Sequence, residues 1–137
     1  MALTHLADTS VLTRLSAAPV REVLEPLVES GRLARAGITD LEVGFSARDP
    51  SEWDALLAAL SVFELIESTA THLARARQVQ RLLAEGRLRG RKLPDLLIAS
   101  AAEERGLVVL HYDADFDMIA SVTGQPAEWV VPRGSIA

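Results

Sequence analysis

Four carboxylates of this chain stand where a strand ends or a helix begins. Asp8 closes a short apolar run, Leu3 to Ala7, that reads as a strand, and Asp113 follows a second such run, Leu107 to His111. Asp95 lies in the first turn of a helix opened by Pro94, and Glu42 in the first turn of a helix that follows another strand. Open parallel sheets bind ligands beyond the carboxyl ends of their strands, near the point where strand order reverses. Four acids distant in sequence can therefore be gathered into one pocket. Carboxylates packed within a few ångströms raise one another's pKa, so a cluster that stays ionised near neutral pH requires a bound cation. The chain has no cysteine and no histidine pair at metal-ligand spacing. Oxygen-only ligation suits magnesium or manganese rather than zinc.

Each acid also has an ordinary structural use. Asp8 precedes Thr9-Ser10 and suits the cap of the helix that follows. Glu42 stands three residues after Thr39, the spacing of a capping box. Asp95 is favoured in a first helical turn by the helix dipole. Asp113, Asp115 and Asp117 are at home in a turn and cap. Their alternation is not a calcium loop, because Met118 stands where that loop needs glycine and Gly124 where it needs glutamate. His5, His72 and His111 fit packed or surface roles, and Trp53 and Trp129 fit the core. No phosphate-binding glycine loop with its lysine and no nucleophile elbow occurs.

The elements that must position these acids follow from periodicity and punctuation. Pro19 opens a helix that stops at Gly31, Leu33 to Ile38 reads as a strand, and Thr39 begins the helix carrying Glu42. Asp49-Pro50-Ser51 breaks the chain before a helix from Glu52 to about Leu60, with Ser51 and Asp54 spaced as a capping box. Phe63 to Ile66 is a weak strand. Leu73, Ala76, Val79 and Leu83 recur at helical spacing between Ala70 and Glu85, and a helix from Pro94 ends at Gly106. A short helix at Phe116 to Ser121, a Gly124-Gln125-Pro126 turn and a last strand at Trp129 to Val131 complete the chain. Strands alternating with helices predict a three-layer α/β fold, a mostly parallel central sheet flanked by helices, with residues 1–137 as one domain.

Composition agrees: 137 residues with 49% apolar and 24% charged content describe an ordinary globular chain. No stretch longer than ten residues lacks a charge, and Met1 to Asp8 has no basic head before a long apolar run, so a cytoplasmic protein with no membrane span is expected. The net charge of −5 hides an uneven distribution. Arg75, Arg77, Arg81, Arg87, Arg89, Arg91 and Lys92 face a single acid, Glu85, which gives that segment +6. Thirteen of the 14 bases are arginine, whose planar fork suits phosphate oxygens. A solvated helix face and a nucleic-acid footprint both account for such a run.

Taken in order, Asp8-Thr9-Ser10, Thr39-x-x-Glu42, Leu93-Pro94-Asp95-Leu96-Leu97-Ile98-Ala99 and His111-Tyr-Asp113-Ala-Asp115-Phe-Asp117 resemble the acidic signature of the PIN-domain family, and in particular the VapC toxins of bacterial VapBC toxin–antitoxin systems. Gly44-Phe-Ser-Ala-Arg48 and the stretch from Thr123-Gly-Gln-Pro126 to Trp129-Val also fit this group, so the resemblance covers nearly the whole chain. It implies a PIN-like fold and an endoribonuclease dependent on Mg2+, with Mn2+ able to substitute. Asp8, Glu42, Asp95 and Asp113 match the catalytic quartet, and Asp8, Asp95, Asp113 and Asp115 are the implied metal ligands. Ser10 takes a supporting hydrogen bond, and Asp117 a helix cap or a contact behind the ligands. A VapB-type antitoxin, a homodimer and a structured RNA substrate, transfer or ribosomal, are implied as partners. Arg87, Arg89, Arg91 and Lys92, immediately before Asp95, are expected to track the RNA backbone into the acids. With only six aromatic residues, extensive base stacking is not expected. Two other classes share parts of the pattern. A magnesium-binding receiver module also places acids at strand ends, but wants adjacent acids after its first strand and a lysine after its fifth, whereas the sole lysine here is Lys92. A non-catalytic partner could use the acids to hold a basic tail.

Overall fold

The computed structural model describes residues 2–89 and 92–137. Arg91, expected among the RNA-binding residues, lies outside the described residues. The elements run β1 (His5–Ala7), α1 (Thr9–Leu12), α2 (Ala18–Glu29), β2 (Leu33–Ala36), α3 (Gly37–Gly44), α4 (Pro50–Leu60), β3 (Glu64–Ile66), α5 (Ala70–Glu85), α6 (Leu93–Arg105), β4 (Val108–His111), α7 (Asp115–Thr123) and β5 (Ala127–Trp129). The five strands form one sheet in the order β3-β2-β1-β4-β5, every neighbouring pair parallel. The sheet is thus fully parallel, and β1 lies at its centre with β2 on one side and β4 on the other.

The strands are short, the inner three (β2, β1 and β4) are largely buried on both faces, and their two-residue period divides the core. Leu6 and Val109 point to one side, where Ala76, Val79 and Leu83 of α5, Leu96, Ile98 and Ala102 of α6 and Phe116 and Ile119 of α7 cover them. Ala7 and Leu110 point to the other, against Val11, Leu12, Val20, Leu24 and Leu60. Helices on both faces are what an all-parallel sheet requires, since neither face is left to water. Gly106, at φ +66°, caps α6 in the left-handed conformation that favours glycine.

Local physics moved several boundaries from those expected. β2 ends at Ala36, opposite Ile66 of β3, so Gly37 and Ile38 belong to α3 rather than to the strand. α4 begins at Pro50, because Asp49 rather than Ser51 caps it: the Asp49 carboxylate accepts from the Glu52 amide at 2.8 Å, and proline tolerates the first position because it has no N–H to satisfy. β5 spans Ala127–Trp129 instead of Trp129 to Val131, since its partner β4 ends at His111, opposite Trp129. Val130 and Val131 instead fill the core beside Leu110. Trp53 is not in the core; it is 44% exposed, and its indole lies so close to Gly44 that a Cβ there would meet Nε1 at 2.5 Å. Trp129 is half-buried. In α5 the buried stripe takes in His72, while Leu73 is left exposed. His72 completes a capping box with Thr69 and pairs with Glu104 at 2.9 Å.

Candidate active site

Asp8 and Asp113 are brought side by side because β1 and β4 are hydrogen-bonded neighbours. The Asp8 amide donates to the Leu110 carbonyl at 2.8 Å, which extends the β1–β4 ladder to the residue that carries the carboxylate. Its side chain accepts from the Ser10 amide at 3.0 Å and so caps α1. The Ser10 hydroxyl in turn accepts from the Tyr112 amide at 2.9 Å. Ser10 therefore supports the first carboxylate with its backbone and holds the end of the β4 segment with its side chain. Asp8 is buried, and desolvation raises its pKa; hydrogen bonds from Ser10 oppose this, while the charges of Glu42 and Asp113 add to it.

Asp113 sits two residues beyond β4. Its amide donates to His111 Nδ1 at 3.2 Å, and its Oδ1 accepts from the Asp115 amide at 2.9 Å, a turn that launches α7. His111 is fully buried between the rings of Phe116 and Trp129, at centroid distances of 5.2 and 5.0 Å. Burial pushes its pKa down, against the pull of Asp117 and Asp113, which favours the neutral ring whose Nδ1 accepts from the Asp113 amide. Asp117 accepts from the Trp129 indole N–H at 3.2 Å, behind the Asp113 turn.

Asp95 occupies the third position of α6, directly after Pro94. It is only 6% exposed, and its Oδ2 is buried without a hydrogen-bond partner. Desolvation, then the charge of Asp8, push its pKa up to about 8; Lys92 opposes the shift, and Asp113 and Asp115 add to it. Among the described residues, Asp95, Asp113 and Asp115 form a group whose carboxylate oxygens, one from each, all lie within 4.8 Å of one another. Oxygen ligands of an octahedral Mg2+ at ~2.1 Å stand roughly 3–4 Å apart. Three hard oxygen donors at nearly that spacing, one of them buried with no partner, fit such an ion after side-chain movements of rotamer scale. Asp8 stands beside this group, near enough for its charge to be the main repulsion on Asp95.

Glu42 reaches the site by a route different from the expected one. α3 starts at Gly37, so Thr39 is inside the helix and fully buried instead of capping it. The capping box is therefore absent, and Glu42 Oε1 accepts from the Thr9 hydroxyl at 2.6 Å, while Thr9 and Thr39 hydroxyls pair at 2.9 Å. Thr9, to which the sequence assigns no role beside that of Ser10, is the bridge between β1 and α3. Its position beside Asp8 is the one signal that could have found it. α3 itself is held by Arg35 of β2, whose guanidinium pairs with Asp40 at 2.8 Å and donates to the Leu60 and Phe63 carbonyls.

The basic residues divide. Arg87 and Arg89 are exposed after α5, with Arg87 in the left-handed region at φ 55°. Lys92 instead turns back onto the acids: its Nζ lies 3.1 Å from Asp113 Oδ2, 3.1 Å from Asp115 Oδ2 and 3.6 Å from Asp95 Oδ2. Partial burial works against its charge, but bonds to Asp113 and Asp115 and the field of Asp95 outweigh it and push its pKa up.

A parallel sheet with acids beyond the ends of the adjacent strands β1 and β4 now has a direct counterpart, for the PIN domain family model matches residues 6–122. The chain belongs to the PIN-domain family. Within it, the chain is 65% identical over 136 residues to Ribonuclease VapC51 of Mycobacterium tuberculosis, covering 99% of each chain. It is 44% identical to Ribonuclease VapC21 of the same species, over 98% of this chain and 99% of the relative. The fold is shared with DNA-bound VapBC from Salmonella typhimurium at a TM-score of 0.77, with 21% identity over 94% of this chain and 99% of that one. The receiver reading is thereby set aside. No helix among the described residues is long and apolar enough to cross a membrane.

Proposed function

We propose that this PIN-domain chain is the toxin of a VapBC-type pair, a cytoplasmic Mg2+-dependent endoribonuclease in which Mn2+ can substitute. The observation that carries the reading is the convergence of Asp95, Asp113 and Asp115 beside Asp8, with the Asp95 oxygen buried and unpartnered. The 65% identity to a protein named as a ribonuclease supports RNA as the substrate. Residues 1–137 act as one domain, as a homodimer held inactive by a VapB-type antitoxin.

Asp8, Asp95, Asp113 and Asp115 would hold the ion, and Glu42 joins Asp8, Asp95 and Asp113 as the catalytic quartet. A divalent ion held there would lower the pKa of water and stabilise charge on a leaving oxygen, and so would allow hydrolysis of a phosphodiester without a side-chain nucleophile. Ser10 ties the ends of β1 and β4 together, His111 holds the turn that carries Asp113, and Thr9 holds Glu42 beside Asp8. Arg87, Arg89 and Arg91 bind phosphates of a structured transfer or ribosomal RNA. Attack by water leaves a 5′-phosphate and a 3′-hydroxyl.

The test is to incubate antitoxin-free protein and Asp95→Asn with total RNA in Mg2+, Mn2+ or chelator and to map new 5′ ends by sequencing. A few sharp, metal-dependent cuts made by the wild type and absent from the variant are expected. Identical profiles from the two folded proteins would refute the nuclease and leave a non-catalytic acidic partner, which D95N would weaken in binding alone.

A further inference from the structure

Lys92 is the chain's only lysine, and its ammonium fills the point on which the Oδ2 atoms of Asp95, Asp113 and Asp115 converge. These are the residues read above as metal ligands, and the inference rests on that reading. The contacts are unequal. Asp113 and Asp115 are within hydrogen-bond distance, but at 3.6 Å the ammonium does not satisfy Asp95, whose Oδ2 stays without a hydrogen-bond partner. One positive charge thus faces three carboxylates and leaves the deepest of them unmet. The lysine side chain is 60% exposed, against 8% for that of Asp95, so its tether approaches from solvent and can leave without repacking the core. A divalent ion taking the same three oxygens would repel an ammonium held among them, and it carries twice the compensating charge.

We propose that Lys92 is a tethered counter-ion that occupies the carboxylate trio while the site is free of metal and must be displaced when a divalent ion binds. It is then a positioning residue that keeps the three acids together in the metal-free protein, at the expense of metal affinity. Lysine suits this use better than arginine would, because the ammonium is a compact point charge on a flexible stem.

The experiment compares wild type with Lys92→Gln and Lys92→Arg. Mn2+ binding is read by calorimetry, and thermal melting is read in chelator and in saturating Mn2+. Lys92→Gln is expected to bind Mn2+ roughly five- to tenfold more tightly, an effect of the size that a partly exposed ion pair supplies. It should melt lower than wild type in chelator and level with it in Mn2+, while Lys92→Arg stays nearer wild type on both counts. Wild-type Mn2+ binding with equal or weaker affinity in Lys92→Gln overturns the inference alone. If neither protein takes up Mn2+, the metal-dependent nuclease reading falls and this inference with it.

Discussion

Asp95→Asn tests the electrostatics of the site without any assay of RNA. The ordinary Asp95 pKa of 3.8 is pushed up to about 8, first by burial and then by Asp8. A folded-state value above the unfolded one means that the native protein holds the proton more tightly. Stability is therefore lost as pH rises from about 4 to about 8, and levels off beyond. At ~1.36 kcal/mol per pH unit, the metal-free protein should lose about 2–3 kcal/mol between pH 6 and pH 9 from this group. Asparagine copies the protonated acid in shape and charge, so Asp95→Asn escapes that loss. For a chain of this size ~1 kcal/mol moves the melting temperature by roughly 3–5 °C. In chelator the gap between the two proteins should therefore shift by about 10 °C in favour of the variant from pH 6 to pH 9. Saturating Mn2+ should remove the wild-type decline, since the ion stabilises the ionised carboxylate, and binding at pH 7 should release about one proton, measurable by calorimetry in two buffers. Melting curves of the two proteins that run parallel from pH 6 to pH 9 would refute the reasoning and mean that Asp95 is already ionised and adequately paired.

Thr9→Val removes the hydroxyl that joins Glu42 to Thr39; single-turnover RNA cleavage should fall about 10- to 100-fold, with a stability loss of ~1 kcal/mol in denaturant. Ser10→Ala leaves the Tyr112 amide without its acceptor while keeping the Ser10 amide on Asp8, and should cost about 1–3 kcal/mol by chemical denaturation. Replacing Arg87 and Arg89 with glutamine should lower RNA affinity and flatten its salt dependence by ~0.7 in log–log slope for each phosphate no longer neutralised. A salt slope unchanged from wild type would remove those arginines from the RNA path.

Much of the fold is legible along the chain because the signals are local. The apolar repeat from Ala70 to Glu85 marks α5 to the residue, and Gly106 ends α6 as its place after the last periodic residue predicts. The errors fall where a neighbour decides. β5 starts and stops according to the length of β4, and β2 gives way to α3 where its pairing with β3 ends. Size alone argues for an interior Trp53, yet its ring covers Gly44 at the surface.

For the site, residue type and chain position single out Asp8, Glu42, Asp95 and Asp113, because an acid at a strand end or in a first helical turn is recognisable from its immediate neighbours, whereas Asp115 joins them only through the resemblance to the PIN-domain signature. Their mutual distances are not encoded there. β1 and β4 are about a hundred residues apart in sequence, and only the strand order β2-β1-β4 sets Asp8 beside Asp113 and lowers the start of α6 onto both. The same tertiary placement decides what local spacing leaves open: Glu42 joins Thr9 instead of a capping box, and Lys92 pairs with the acids instead of standing exposed like Arg87 and Arg89. Periodicity and capping act over a few residues of backbone, whereas charge acts through space, so the partners of these side chains exist only once the sheet has been assembled.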